Sequence, residues 1–260
     1  MKSHEESFDS MLFRRQGAIA EIVLNRPDRR NATDLGFYDD LLACLDLAEA
    51  DAAVRVVVLR AEGPAFCAGQ NLKFTGSATP AEIRTYRQRM QQAWDRIMRH
   101  PRPVIARVQG DALGGGTYIV SRCDLVVARR HARFAMREIA AGEQSGGALL
   151  LMLGKQRALE MSLLGRYVDG DEAERWGLIN KAVDSDEELD AQVAAWAEQL
   201  MALPPLGIRQ TKLAAAHALD LAGFSLLPQA DFGSVLRHTE DWAEAKRAFQ
   251  ERRKPEFKGR

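Results

Sequence analysis

Three consecutive glycines, Gly114-Gly115-Gly116, stand where a helix is due to begin. They follow the apolar run Val104-Ile105-Ala106-Arg107-Val108, which reads as a strand, and lead into Thr117-Tyr118-Ile119-Val120. Glycine at such positions costs helix stability. The cost makes sense where a backbone must approach a ligand closely, with free N–H groups at the positive end of the helix turned toward an anion. A glycine-rich helix packed closely on a strand accounts for the run equally well. Nucleotide-binding loops do not fit, because neither GxGxxG nor GxxxxGK[ST] occurs.

Two more segments could take part in chemistry. Ala65-Phe66-Cys67-Ala68-Gly69-Gln70-Asn71-Leu72-Lys73 follows the strand-like run Val54 to Leu59 and can offer another backbone N–H at a strand end. Asn25-Arg26-Pro27-Asp28-Arg29-Arg30-Asn31-Ala32 gathers three arginines beside a turn, as either a solvated face or a phosphate site. His4, His100, His131, His217 and His238 assemble into no recognisable set, so a Ser-His-Asp triad has no support. Cys44, Cys67 and Cys123 are odd in number and widely spaced, without a CxxC pair. They read as reduced thiols of a cytoplasmic protein, not as a disulfide frame or a zinc site.

The elements that must position these segments alternate in type. Ala18 to Leu24 reads as a strand ended by Asn25-Arg26-Pro27. Thr33 or Asp34 can cap a helix to about Ala50, whose apolar face is Leu35, Leu41, Leu42, Leu45 and Leu47. Pro80 opens a helix to about Arg99, and Asp124 to Ala128 and Arg133 to Met136 read as short strands. From Gly146 onward the pattern is helical, over Glu172–Trp176, Glu187–Leu203, Gly207–Leu221 and Trp242–Arg252. Strands and helices alternating at this spacing give an α/β layered domain. With no linker in sight, the helical last third reads as an appendage packed on one domain.

Bulk properties agree. The chain has 260 residues, 46% hydrophobic and 28% charged, which is ordinary for a globular protein and enough for a sizeable core. Lysine plus arginine and aspartate plus glutamate each total 36, so the formal net charge is zero and gives no general pull toward nucleic acid or membrane. Met1 to Arg15 carries Glu5, Glu6 and Asp9 and does not read as a secretory signal. The longest apolar run, Ala148 to Leu153, is far too short to span a bilayer.

In combination the segments resemble a known superfamily. Asn25-Arg26-Pro27 with Asn31-Ala32, Phe66-Cys67-Ala68-Gly69 with Leu72-Lys73, and Gly110 through Gly116 with Cys123-Asp124 come in its order and spacing. So do Phe134 with Glu138 and Gly142, Ala173 with Gly177-Leu178-Ile179, and Arg253-Lys254-Pro255 with Phe257-Lys258-Gly259. The chain resembles the crotonase, or enoyl-CoA hydratase/isomerase, superfamily from about Phe13 to its end. The resemblance implies a single crotonase-like domain over residues 1–260. Its ββα spiral core of two roughly perpendicular sheets covers about 13–195, and a helical C-terminal trimerisation region covers about 196–260. It also implies a homotrimer or a hexamer made of two trimers, a place in fatty acid metabolism, and no cofactor beyond the CoA of the substrate.

The resemblance assigns roles by position. The N–H groups of Gln70 and Gly115 match the family's oxyanion hole, where they would hold the thioester oxygen as an enolate forms. A preorganised donor of this kind contributes roughly 3 kcal/mol. Arg26, Arg29 or Arg30 would meet the CoA phosphates, Ala68 would line the adenine pocket, and Lys258 would belong to a neighbouring subunit's CoA site. Family hydratases use two glutamates. The proton-delivering one matches Glu138, but Tyr118 stands where the water-activating one belongs, and a phenol with an ordinary pKa of about 10 is no substitute.

One glutamate is the pattern of the family's Δ3-Δ2-enoyl-CoA isomerases, which gives the leading expectation. The bland reading of Glu138 is a structural carboxylate paired with Arg137. Arg137 replaces a frequent proline and is expected to face outward. Tyr118 is foremost an apolar wall, otherwise a hydrogen-bond or proton donor. Glu143 is expected at the surface, with an acyl-pocket role as its rival, and Ser145 reads as a possible helix cap. The alternative functions are a hydratase, hydrolase or decarboxylase for a specialised acyl group, and an acyl-CoA-binding protein without turnover.

Overall fold

The computed structural model describes residues 4–145, 147–221 and 239–256. Lys258 and His238 lie outside the described residues. Seven strands form the larger sheet: β1 (His4–Ser7), β2 (Met11–Gln16), β3 (Ile19–Leu24), β4 (Val56–Ala61), β6 (Val104–Val108), β8 (Leu125–Arg129) and β10 (Lys181–Val183), adjacent in that order. The first three are antiparallel, and every later pair is parallel. A second sheet has three short parallel strands, β5 (Ala65–Cys67), β7 (Asp111–Leu113) and β9 (Phe134–Ala135). β4, β6 and β8 are thus each followed by one strand of the small sheet.

Helices cover the layers: α1 (Leu35–Ala50), α2 (Leu72–Ser77), α3 (Pro80–Arg99), α4 (Gly115–Arg122), α5 (Leu150–Leu153), α6 (Lys155–Leu164), α7 (Gly170–Trp176), α8 (Asp186–Met201), α9 (Pro205–Leu221) and α10 (Glu240–Glu251). Their starts follow capping rules. The Asp34 side chain accepts the Phe37 N–H at the head of α1. Thr79 and Glu82 form a reciprocal capping box with Pro80 in the first turn of α3. None of the described helices is long and apolar enough to cross a membrane.

β4 is buried on both faces, as a central parallel strand should be. Val57 and Leu59 enter the main core with Ala106, Val108 and Phe66, while Val56 and Val58 pack with Ile105 beneath Ala197 of α8.

The arginine-rich segment turns out to brace the loops after β4 and β5. Asn31, fully buried, donates from Nδ2 to the carbonyls of Glu62 and Ala65, both at 3.0 Å, and accepts the Arg26 N–H at 2.8 Å. Its φ of 53° is left-handed, which asparagine tolerates better than most residues. Asn31→Ala removes the donor to the Glu62 carbonyl and leaves the Ala65 carbonyl only the Gln109 amide, at 3.2 Å. It is expected to cost about 3 kcal/mol, read as a lower urea midpoint with an unchanged slope.

Candidate functional site

The small sheet brings three chain segments to one place. β5, β7 and β9 run parallel, and each leaves its C-terminal end toward the same side. Cys67 pairs with Ala112, which pairs with Phe134, and Leu113 pairs with Ala135. Beyond those ends come Ala68-Gly69-Gln70, the start of α4 at Gly114-Gly115, and Met136 to Glu138.

Two close approaches lock the first two segments together. Gly69 has a φ of +83°, and a Cβ built on it would stand 2.6 Å from the Leu113 carbonyl oxygen and 3.3 Å from the Gly115 nitrogen. A Cβ on Gly116 would stand 2.3 Å from the Cys67 carbonyl oxygen. No side chain fits at either position, so the backbones of the oxyanion segments named from the sequence touch directly. Of the two accounts of the glycine run, close packing is seen. The first N–H groups of α4 also have no acceptor within their own helix.

Buried hydroxyls finish the positioning. Thr117 Oγ1 donates to the carbonyls of Ala112 at 2.6 Å and Ala135 at 3.1 Å, tying α4 to β7 and β9. The Thr33 N–H donates to the Gly69 carbonyl at 2.7 Å, and its carbonyl accepts the Asn71 N–H at 2.8 Å. Thr33 Oγ1 lies 2.9 Å from the Tyr86 hydroxyl of α3. Ala68 is half-buried and donates its N–H to the Arg30 carbonyl at 2.9 Å.

Glu138 lies against this junction. Its Oε1 is 3.0 Å from where a Gly114 Cβ would be, one residue before Gly115. Part of the residue reaches solvent, but Oε2 is buried and accepts no hydrogen bond among the described residues. Burial chiefly lifts its pKa from 4.5 to about 7, with help from the nearby Glu143 charge and against hydrogen bonds that include one from Ser145. Arg137 is exposed and lies over the Tyr167 ring, so it faces outward as expected.

The expected surface position of Glu143 is corrected. Its side chain is only 11% exposed, with Oε1 at 3.5 Å from Gln70 Nε2 and Oε2 at 3.9 Å from Arg87 of α3. Arg26, one of the three arginines expected at the CoA phosphates, is held within the chain. Its guanidinium grips both oxygens of Asp34, at 2.8 and 2.9 Å, and the Ala32 carbonyl. Its side chain is 14% exposed. Arg29 is exposed beside Asp28. Arg30 is exposed and reaches Asp111, which Arg133 also holds.

Tyr118 is buried and stacks on Trp94 with ring centroids 4.7 Å apart, a placement that fits an apolar wall. Thr117, Thr33 and Arg87 complete the surroundings without having been singled out from the sequence. Thr33 carried a signal as a helix cap, whereas Thr117 and Arg87 carried none. Among the described residues no group of three or more His, Cys, Asp or Glu could hold a metal ion. A surface depression of about 460 Å³ between α1 and α3, lined by Asp46, Arg89 and Arg96 among others, is lined by none of these residues.

The chain matches known proteins in sequence and in fold. The family profile described as "Enoyl-CoA hydratase/isomerase" matches residues 14–260. A putative enoyl-CoA hydratase of Thermus thermophilus is 34% identical, over 93% of this chain and 98% of its own. The mouse mitochondrial enoyl-CoA hydratase domain-containing protein 2 is also 34% identical, over 93% of this chain and 85% of its own. The crystal structure of an enoyl-CoA hydratase/isomerase from Xanthobacter autotrophicus Py2 superimposes with a TM-score of 0.85 at 30% identity, over 94% of each chain.

The Glu138 carboxyl binds more protons folded than unfolded between pH 4.5 and about 7, so stability falls as pH rises through that window. At full extent this amounts to about 3 kcal/mol. Glu138→Gln is therefore expected to melt at a higher temperature than the wild type above pH 7, with the gap closing below pH 4.5. Melting curves across pH check this, and a gap independent of pH would count against it.

Proposed function

The chain belongs to the enoyl-CoA hydratase/isomerase family and is an enzyme of that family, and from this premise we propose that its reaction is the Δ3-to-Δ2 shift of an enoyl-CoA double bond. Glu138 as carboxylate removes a proton from C2 of a 3-enoyl thioester. The electrons move toward the thioester oxygen, which the N–H groups of Gln70 and Gly115 hold. The same carboxyl returns the proton at C4, and the conjugated 2-enoyl thioester leaves with no net change in protons. CoA enters as part of the substrate, and no other cofactor is required.

The observation that carries this reading is the Glu138 carboxyl, buried against Gly114 beside the head of α4. A base that must both take and return a proton works best with a pKa near the working pH, and Glu138 is lifted to about 7. The stacked Tyr118 in place of a first glutamate supports one base in that position over a pair. Arg30 and Arg29, exposed beside Ala68, suit the CoA phosphates.

Homotrimer or hexamer assembly through the helical C-terminal region goes with the reading, supported by exposed Leu203, Leu206 and Phe249 there. A cytoplasmic location goes with it as well. The test is the appearance of conjugated enoyl-thioester absorbance from short- and medium-chain 3-enoyl-CoA. Glu138→Gln is expected to lower kcat by about 10²–10⁴. A wild type without turnover on any of these substrates would refute the isomerase reading.

A further inference from the structure

Both acidic groups of the site come from one tight turn. The Glu138 carbonyl accepts the Glu143 N–H at 2.9 Å, and Gly142 between them takes a left-handed φ of 75°. The turn folds Glu143 back toward the carboxyl that precedes it. One Glu143 oxygen faces the side-chain amide of Gln70, at 3.5 Å from Nε2, and the other faces Arg87. An enclosed glutamate ordinarily has something to compensate its charge, and Arg87 serves here.

Two carboxyls of the same site thus have opposite surroundings: Glu138 sits against backbone at Gly114, and Glu143 faces a guanidinium. Tyr118, buried against Trp94, offers no carboxylate, whereas Glu143 does.

We infer that Glu143 is a second catalytic residue of this site, the general base that adds water to a conjugated 2-enoyl-CoA. The inference rests on the enolate reading of Glu138, Gln70 and Gly115. Glu143 takes one proton of a water molecule as its oxygen bonds to C3. The C2–C3 π electrons move toward the thioester oxygen, and protonated Glu138 delivers its proton to C2. The product is a 3-hydroxyacyl-CoA, with Glu143 left protonated and Glu138 ionised until solvent exchange resets both. The product of the double-bond shift is the substrate of this addition, so one site carries two successive steps.

The experiment gives short- and medium-chain trans-2-enoyl-CoA to the full-length enzyme in heavy-oxygen water and follows label into the 3-hydroxyacyl product. Isomerisation of 3-enoyl-CoA is measured in parallel on the same preparations. Glu143→Gln is expected to lower hydration about 100-fold, at least tenfold more than it lowers isomerisation, with partial recovery in Glu143→Asp. Isomerisation without any hydration in the wild type overturns the inference and leaves the enolate reading standing. Undiminished hydration by Glu143→Gln, or equal loss of both activities, also overturns it. Absence of isomerisation in the wild type removes the isomerase reading itself.

Discussion

Backbone packed on backbone is the contact from which the rest of the site follows. The ends of β5 and β7 and the head of α4 meet where Gly69 and Gly116 leave no room for a Cβ, at 2.6 and 2.3 Å from carbonyl oxygens. Parallel pairing of three short strands aligns those ends, and buried Thr117 and Thr33 tie them to β9 and α3. Donors held in this way need no reorganisation when charge appears on a bound oxygen, which is where their value lies.

Charge compensation distinguishes Glu138 from the other enclosed acids. Asp34 faces Arg26, Asp111 faces Arg133 and Arg30, and Asp124 faces Lys212. The arginines hold Asp34 and Asp111 below the usual carboxylate range, while burial keeps Asp124 above it even beside its lysine. Glu138 instead feels a second acid, Glu143, and buries an oxygen without a hydrogen bond. The fold thus pairs Asp34, Asp111 and Asp124 with cations and gives Glu138 none of these partners.

Much of this is legible in the residues. The helix after Asp34, the Pro80 start of α3 and the Val104 to Val108 run appear as expected, with ends shifted by a residue or two elsewhere. The buried face of α1 differs from the expected leucines: only Leu41 and Leu45 of the five are buried, beside Phe37, Tyr38, Cys44 and Ala48. The order of motifs carried the family and the positions of Gln70, Gly115 and Glu138. β5 and β7 are three residues long, too short for any period to show, whereas β9 falls inside the short strand read over Arg133 to Met136. β1 is exposed throughout and gives no apolar signal. The arginine cluster could not reveal that Asp34 would claim Arg26. Glu143 misled for a related reason: the rule that glutamates stay outside assumes no partner, and Arg87 arrives from a distant helix.

The central claim is that Glu138 moves a proton at the carbon beside a CoA thioester while Gln70 and Gly115 hold its oxygen. Its most direct test uses a saturated acyl-CoA, which can neither isomerise nor take up water. Incubated in heavy water with the enzyme and followed by mass spectrometry, it is predicted to gain deuterium at C2, with the rate about 100-fold lower in Glu138→Gln. No uptake with the wild type, or equal uptake with both proteins, would contradict the account.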